Sequence, residues 1–217
     1  MRATDHLQSL AIADWTMATS HPFTDALAAG TLPAEKMAGY LQQDYLFIDE
    51  FVRLLATTIA HAPTLADSVP AAQFLAVVTG PENTYFQRSF EALDIPGEAA
   101  PAQATRNFKM LMEEARLSGR YELMLAVLCV AEWVYLEWAT PHADQAEALP
   151  FWLGEWITLH SGAGFEGVVA YLRGQLDQTW ETLDHLQRDM VQDFFVEAVR
   201  RERAFFDAAW EGFGVAR

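Results

Sequence analysis

Three acidic residues, Asp44, Glu132 and Glu202, each lie in a run of apolar residues that has the spacing of one helix face. Apolar neighbours occur three, four or seven residues away, so each carboxyl lies on the side of its helix that faces the core. Acidic side chains are rarely buried unless they are paired or functional, because an unpaired buried charge is unstable. Burial raises the pKa of a carboxyl, which suits it to proton transfer. The pattern therefore predicts an acid–base active site in a helical core.

Aromatic residues lie within one helical turn of these carboxyls, namely Tyr45, Phe47, Tyr135 and Phe205. Aromatic side chains at helical spacing most often belong to a hydrophobic core. Beside carboxyls that face inward, they are also suited to the walls of a pocket for a flat heterocycle. Both interpretations stay open at this stage.

Other kinds of chemistry have less support in the sequence. A di-iron site in a helical bundle needs Glu-x-x-His pairs or a comparable ligand spacing, and none of the six histidines supplies it. We therefore predict no metal, although His160 remains a candidate for the interior. The chain has no Gly-x-Ser-x-Gly turn, phosphate loop or dinucleotide motif. The only cysteine, Cys129, is more typical of a small buried hydrophobic residue than of a nucleophile.

Helical periodicity runs through almost the whole chain, and no segment has the alternation that is typical of a β-strand. Glycine and proline residues such as Gly80-Pro81 and Pro96-Gly97 indicate breaks between helices, and Pro33 and Pro81 suit the first turn of the helices that follow them. We predict helices at 4–19, 22–29, 33–60, 66–79, 82–93, 102–118, 120–140, 149–161, 164–183 and 187–212. The prediction is an all-α protein with one domain over residues 1–217.

Composition and charge exclude several classes of protein. With 217 residues, of which 52% are hydrophobic, the chain can bury one large core. Thirty acidic residues against 14 basic ones give a net charge of −16, so no nucleic-acid binding is expected. A single cysteine excludes an internal disulfide and suits the reducing cytosol.

The N-terminal residues do not resemble a signal peptide, because Asp5 and Asp14 leave no long apolar run. The most apolar stretch, Leu123 to Ala139, is interrupted by Glu132 and Glu137, so it falls short of the roughly 20 apolar residues of a membrane span. It is apolar nearly all round and is predicted to be the central helix. We therefore expect a cytoplasmic protein with no membrane contact.

Six short segments stand in a recognisable order along the chain. They are His21-Pro22-Phe23, Gly30-Thr31-Leu32-Pro33, Gln43-Asp44-Tyr45-Leu46-Phe47, Ala131-Glu132-Trp133-Val134-Tyr135-Leu136-Glu137, Trp156-Ile157 and Glu202-Arg203-Ala204-Phe205-Phe206-Asp207. Each segment alone is a weak signal, whereas their order and spacing together are specific. Over nearly its whole length, the chain resembles the TenA/thiaminase II family.

This resemblance implies a haem-oxygenase-like helical bundle around one pocket, without a metal or organic cofactor, in a homo-oligomer (a dimer or tetramer). Family members salvage thiamin breakdown products. They remove the amine from 4-amino-5-aminomethyl-2-methylpyrimidine to give the hydroxymethyl pyrimidine, and some cleave thiamin. A small pyrimidine is therefore the expected partner. By the resemblance, Asp44 anchors the aminopyrimidine, Tyr135 orders the reacting groups and Glu202 handles the proton at the leaving group.

Glu132 distinguishes the chain from much of this family. In one branch a nucleophilic cysteine lies four residues before the tyrosine, a position that Ala131 occupies here. Cys129 lies about 200° away around the helix and cannot replace that thiol. Glu132, three residues before Tyr135, instead resembles the branch in which a glutamate stands in for the cysteine. That branch is associated with formylaminopyrimidine amidohydrolase and aminopyrimidine aminohydrolase activities, for which a carboxylate can activate water or carry a proton.

The predicted pocket wall departs from the family pattern at several positions. Phe47 and Phe108 occupy positions where relatives often carry tyrosine, Tyr85 one where the cysteine branch often has histidine, and His160 one where tyrosine is common. With Tyr45, Tyr135 and Phe205, these residues complete the predicted substrate-binding set.

Two other functions remain open from the sequence. One is a metal- or dioxygen-dependent oxidase on the same fold, similar to PqqC or to the haem-oxygenase-like di-iron proteins. The other is a non-catalytic pyrimidine-binding or regulatory protein that has kept the pocket and lost the chemistry.

Overall fold

The computed structural model describes residues 2–95 and 99–213, and within them the regular structure is helical, without a β-strand. Eleven α-helices fall within these residues: α1 (Ala3–Leu10), α2 (Ile12–Thr19), α3 (Pro22–Ala28), α4 (Ala34–His61), α5 (Leu65–Val77), α6 (Asn83–Ala92), α7 (Gln103–Leu117), α8 (Tyr121–Ala139), α9 (Phe151–Leu159), α10 (Gly162–Thr182) and α11 (His185–Glu211). A π-helical turn, Val78–Glu82, joins α5 to α6, and a 3₁₀ helix, Thr140–Ala148, joins α8 to α9.

Helix α8 is the centre of the bundle. All of its residues except Leu136 and Glu137 are buried, and it packs mainly against α10 and α11, with α4, α7 and α2 completing its surroundings. The stretch Tyr121–Ala148 has the length and mean hydropathy of a membrane-spanning helix, yet 83% of its most apolar window is buried inside the protein. A helix that is apolar all round is stable in water only when other helices surround it, as they do here.

The long predicted helices agree with the structure to within a few residues at their ends, but the helix predicted at 4–19 is wrong. It is divided at Ala11, whose backbone dihedrals (φ −111°, ψ 16°) are not helical. The division lets α1 pack against α10 and α11 while α2 packs against α8 and α11. Tertiary packing determines this break. No glycine or proline near Ala11 indicates it in the sequence. The break predicted at Pro96-Gly97 lies outside the described residues.

The break predicted at Gly80-Pro81 is also wrong, since the chain stays helical there as the π turn. Proline in an α-helix lacks an N–H and collides with the carbonyl four residues earlier. The wider π turn accommodates Pro81, and the Thr84 hydroxyl donates a hydrogen bond of 2.9 Å to the Gly80 carbonyl. Pro81 therefore lies inside a helical turn rather than in the first turn of a new helix, and Pro33 is the N-cap that precedes α4.

The 3₁₀ helix replaces a segment that the sequence predicts as loop, and it holds α9 in place. An added Cβ at Gly154 in α9 would collide with the backbone carbonyl oxygen of Ala146 in the 3₁₀ helix. Only glycine permits this close approach. The contact fixes α9, which ends next to His160.

Helix α11 has well-defined signals at both ends. Asp184 accepts a hydrogen bond from the Gln187 backbone N–H (2.9 Å), and the Gln187 side chain accepts one from the Asp184 N–H (2.9 Å), which together form a capping box. At the other end Gly212 adopts the left-handed conformation (φ +91°) that terminates many helices. Between these ends, α11 presents Phe195, Val199 and other apolar residues to the core.

Candidate active site

Four carboxyls, each from a different element, meet in one pocket of the bundle. Asp44 comes from α4, Glu82 from the π turn, Glu132 from α8 and Glu202 from α11. The cavity between their walls is small, about 30 Å³. We call this site the acidic pocket, and it is lined by Asp44, Phe47, Ile48, Phe51, Phe74, Val78, Glu82, Phe108, Ala131, Glu132, Tyr135, Trp156, His160, Glu202 and Phe205.

The structure brings most of the predicted site residues together. The three predicted carboxyls line the acidic pocket, and so do five predicted substrate-binding residues: Phe47, Phe108, Tyr135, His160 and Phe205. The rings of Phe47 and Phe108 meet edge to face at 4.9 Å between centroids, and Phe205 lies 6.4 Å from Phe47. One wall is therefore apolar and aromatic, opposite a set of acids. The roles of these residues in binding and catalysis stay predictions.

Tyr45 and Tyr85 do not line the acidic pocket, contrary to expectation. Tyr45 points towards α6, where its hydroxyl donates a hydrogen bond to the Asn83 side-chain oxygen at 3.1 Å. The Tyr85 hydroxyl donates to the Trp152 carbonyl at 2.7 Å, and its ring stacks on Trp156 at 5.2 Å. Both side chains pack between helices behind the pocket, because each has its polar partner there.

Glu82 is the pocket carboxyl that the sequence analysis missed. It follows Gly80-Pro81, and the sequence predicts it at the start of a helix, where an acidic residue is common because it offsets the helix dipole. One signal was available: Val78, Tyr85 and Phe86 lie three or four residues away, which puts Glu82 on an apolar stripe as well. The predicted break at Pro81 hid that stripe.

Burial raises the pKa of all four carboxyls. Glu82, which is 8% exposed, has a pKa of about 8 because burial disfavours its charged form. The pKa of Asp44 is raised by burial and then by Glu82, and that of Glu132 by burial, then Glu82, then Asp44. For Glu202 the causes are burial, then Asp44 and Glu132. Burial therefore favours the protonated form of these carboxyls, and a positive charge that entered the pocket would favour their ionisation.

No hydrogen bond or ion pair joins these four carboxyls to another described residue. Glu202 is flanked by arginines that suggest a surface ion pair, but it is only 2% exposed. Arg203 instead contacts Asp14 at 2.7 Å, and Arg201 contacts Glu197. The pocket thus gathers acids without a basic partner, which is unusual for a site that serves only structure.

His160 adds a neutral polar group to the acidic pocket. Its Nδ1 lies 2.8 Å from the Trp156 carbonyl, which can only accept, so Nδ1 carries the hydrogen and Nε2 is the acceptor. Burial lowers the pKa of His160 to about 4, so the ring is uncharged at neutral pH. Its ring lies 4.8 Å from that of Tyr135. His160 therefore supplies no positive charge to the carboxyls.

The Tyr135 hydroxyl is held by a second tyrosine that the sequence analysis did not identify. Tyr40 is fully buried in α4, and its hydroxyl lies 2.6 Å from that of Tyr135. Burial raises the pKa of both phenols, so both stay protonated and one donates to the other. Tyr40 thereby fixes the direction of the hydroxyl that faces the pocket.

The acidic pocket is lined by Ala131 at the position of the cysteine in one family branch, and Cys129 lies elsewhere. Cys129 is fully buried, and burial raises its pKa to about 12, so it stays a thiol. The prediction that it is a small buried hydrophobic residue is confirmed. Within residues 2–95 and 99–213, no group of three or more His, Cys, Asp or Glu side chains is arranged to hold a metal ion.

Comparison with known proteins identifies the family of this chain. A model of the TENA/THI-4/PQQC family matches residues 11–212. The chain belongs to this family. It is 24% identical over 202 residues to the aminopyrimidine aminohydrolase of Halalkalibacterium halodurans, with 90% of each chain covered. It is 23% identical over 216 residues to that of Helicobacter pylori, which covers 97% of this chain and 100% of the other.

A solved structure of similar fold is the TenA homologue from P. horikoshii OT3, with a TM-score of 0.85 at 24% identity over 98% of this chain and 100% of that one. The predicted family and the all-α, haem-oxygenase-like, single-domain fold are confirmed. The two aminohydrolases support the prediction of a hydrolase that acts on a C–N bond.

Proposed function

We propose that this protein hydrolyses an exocyclic C–N bond of an aminopyrimidine in thiamin salvage. The observation that carries the proposal is the acidic pocket itself: buried carboxyls face an aromatic wall, with no basic partner among the described residues. Such a site suits a flat, nitrogen-rich ring that donates hydrogen bonds and accepts a proton. Relatives named as aminopyrimidine aminohydrolases support the choice of substrate class.

In this proposal Asp44 and the aromatic side chains of the pocket bind the substrate. The Asp44 carboxylate accepts hydrogen bonds from the aminopyrimidine edge and ionises as the ring brings positive charge. Phe47, Phe108 and Phe205 pack against the ring. Because phenylalanines replace the tyrosines that relatives often carry at two of these positions, ring binding here depends on apolar contact more than on hydroxyl groups.

Glu132 and Glu202 perform the hydrolysis. Glu132, as a carboxylate, takes a proton from water while the water oxygen bonds to the carbon that loses nitrogen. The C–N bond breaks, and Glu202 manages the proton on the departing nitrogen, which leaves as ammonia from an aminomethyl group or as an amine from an N-formyl group. Two carboxyls in one dry pocket separate in pKa, which gives one acceptor and one donor.

The pocket also favours the branch with glutamate in place of cysteine. A covalent route through a thiol needs the sulfur in the pocket, whereas Ala131 faces it and Cys129 is buried elsewhere. We propose that Glu132 acts on water rather than forming a lasting bond to the ring.

Replacement of Glu132 by glutamine tests the mechanism. We expect kcat for the free or N-formyl aminopyrimidine to fall about 100-fold or more, with a small change in KM, because general-base catalysis is lost. Glu137→Gln on the same helix is the matched control. Its carboxyl lies outside the pocket and accepts hydrogen bonds from Trp15 (2.7 Å) and Gln8 (3.2 Å), so turnover should be kept.

Full activity of Glu132→Gln would remove Glu132 from the mechanism. Tight binding of aminopyrimidines by the wild-type protein without any turnover would support the non-catalytic alternative. Loss of all turnover in the presence of a chelator, restored by added metal, would support the oxidase class.

We further propose a homo-oligomer in the cytoplasm. Several large apolar side chains are exposed on the single chain, including Leu65, Leu117 and Leu186. Light scattering coupled to size-exclusion chromatography would distinguish a dimer or tetramer from a monomer.

A further inference from the structure

Glu82 has no place in the mechanism so far, although its side chain lines the acidic pocket. It is 8% exposed, and no hydrogen bond or ion pair joins its carboxyl to another described residue. It stands on the π turn, whose first residue, Val78, also lines the pocket. π turns of this kind occur often at functional sites, because they redirect one side chain of a helix.

Glu82 shares the acidic pocket with Asp44 and Glu132 and interacts electrostatically with both. Of the carboxyls that raise the pKa of Glu132, Glu82 has the larger effect and Asp44 the smaller. Glu202 responds to Asp44 and Glu132. Glu82 also raises the pKa of Asp44, so it acts on both the carboxyl proposed to hold the ring and the carboxyl proposed to activate water. In the proposed function, Glu132 lies at the C–N bond that breaks.

The pocket contains more carboxyls than the aminopyrimidine ring can neutralise. Four acids line it, its histidine is uncharged, and no lysine or arginine of the described chain lines it. A ring held by Asp44 balances one charge at most. Ionisation of Glu82 in this buried site, in addition to Asp44 and Glu132, requires a second positive charge on the substrate.

We propose that Glu82 is a specificity-determining residue that binds the protonated exocyclic amine of the substrate and disfavours derivatives in which that nitrogen is acylated and neutral. This inference rests on the proposed function, and it chooses between the free amine and its N-formyl derivative. The Glu82 carboxylate accepts hydrogen bonds from the ammonium group beside Glu132. A neutral amide at the same place leaves Glu82 protonated and without an ionic partner.

Binding of the ammonium form should release a proton from Glu82, which can be measured. The titratable groups that share the acidic pocket with Glu82 are Asp44 on α4, Glu132 and Tyr135 on α8, Glu202 on α11 and the neutral His160 after α9. With a pKa of about 8, Glu82 is protonated at pH 7. When the ammonium group enters, Glu82 ionises, and one proton passes to the solvent.

The experiment compares two ligands that share one ring: 4-amino-5-aminomethyl-2-methylpyrimidine and its 5-hydroxymethyl counterpart, which lacks the ammonium charge. Calorimetric titrations are run at pH 7 in two buffers of different ionisation enthalpy. The proteins carry Glu132→Gln, which suppresses turnover of the amine, either alone or together with Glu82→Gln or Glu91→Gln. Glu91 is exposed on the adjacent helix α6, so its variant makes the same Glu-to-Gln change outside the pocket.

For Glu82→Gln we expect the Kd of the amine to rise about tenfold or more, because a charged hydrogen bond is lost. The Kd of the hydroxymethyl compound should change less than about threefold, because this compound has no ammonium group to form a charged hydrogen bond. Proton release on amine binding should shrink in Glu82→Gln and persist in Glu91→Gln. In turnover, Glu82→Gln should raise KM for the amine more than KM for the N-formyl derivative.

Three results would overturn the assignment of Glu82. These are an unchanged amine Kd in Glu82→Gln, an equal loss of affinity for both ligands, or a wild-type preference for the N-formyl compound. A thermal melt of each variant shows whether equal losses come from unfolding. Failure of the wild type to bind or hydrolyse either aminopyrimidine would instead contradict the proposed function.

Discussion

Four carboxyls line the acidic pocket, and the sequence pattern reveals three of them. Asp44, Glu132 and Glu202 were predicted because each sits in the middle of a long apolar stripe whose period is unambiguous. Glu82 was missed because Pro81 precedes it, and a proline next to a glycine is read as the end of a helix. The error concerned a boundary, not the chemistry of the residue.

The two tyrosines show the limit of sequence reasoning at the same scale. Tyr135 was predicted from its spacing to Glu132, whereas its partner Tyr40 lies 95 residues away in sequence. Nothing local in α4 reveals that the two hydroxyls meet, because the contact depends on how α4 and α8 pack. Such a pair becomes visible only in the folded protein.

Tyr40→Phe tests whether this pair matters for turnover. The variant leaves the Tyr135 hydroxyl without its partner, so we expect kcat to fall about tenfold while the free energy of unfolding drops by about 1 kcal/mol, the value of one buried hydrogen bond. Steady-state kinetics and denaturant unfolding measure the two effects.

Tyr171→Phe is the control for Tyr40→Phe, because it also removes one hydrogen-bonded tyrosine hydroxyl. The Tyr171 hydroxyl donates to the Asp67 carbonyl at 2.5 Å, far from the acidic pocket, so the variant should lose stability and keep kcat. If Tyr40→Phe kept the wild-type kcat, as Tyr171→Phe is expected to do, Tyr40 would contribute to stability alone.

At the scale of elements, the long helices were predictable and the short connections were not. Helices α4, α7, α8 and α11 follow from periodicity over 15 or more residues. The division at Ala11, the π turn and the 3₁₀ helix depend on packing and on backbone geometry that a pattern of apolar residues does not encode. Two of these connections position site residues, since the π turn carries Glu82 and the 3₁₀ helix supports α9.

Gly154→Ala tests the contact between the 3₁₀ helix and α9. The new methyl group would collide with the Ala146 carbonyl, so α9 must move, and Trp156 and His160 move with it. We expect a lower melting temperature together with a fall of about tenfold or more in kcat/KM, since displacements of about 1 Å at an active site have effects of this size.

Gly167→Ala in α10 is the control for this substitution. An added Cβ there meets open space, and alanine is the better helix former, so stability should rise by about 0.5–1 kcal/mol with unchanged activity. A Gly154→Ala protein as stable and active as the wild type would show that the close approach is not required.

For the whole molecule, the buried carboxyls link stability to pH. In the folded protein Glu82 keeps its proton up to about pH 8, whereas in the unfolded chain it loses the proton near its ordinary pKa of 4.5. The folded state therefore binds more protons in this window, and the free energy of unfolding falls as pH rises through it. The other three pocket carboxyls act in the same direction, because their pKa values are raised as well.

We therefore expect the melting temperature to fall by several degrees between pH 5 and pH 8, where even about 1 kcal/mol shifts it by a few degrees. Glu82→Gln should have a shallower dependence, because one of the titrating groups is gone. Glu91→Gln corrects for the general repulsion of a chain with a net charge of −16. A melting temperature that rises with pH over this range, or an equal slope in all three proteins, would contradict the pKa assignment.

The four pocket acids are drawn from positions 44, 82, 132 and 202, so they span most of the polypeptide. Bringing them together requires contacts between parts of the chain that are very distant in sequence, and each such contact closes a long loop at a cost in entropy. The complete site therefore exists only when the helices that carry these four acids have all packed together. A chain cut short before α11 would lack Glu202 and would leave one side of the apolar helix α8 uncovered, so it could not form the site. Enzymatic competence, rather than helicity, is the sensitive measure of whether this bundle has closed.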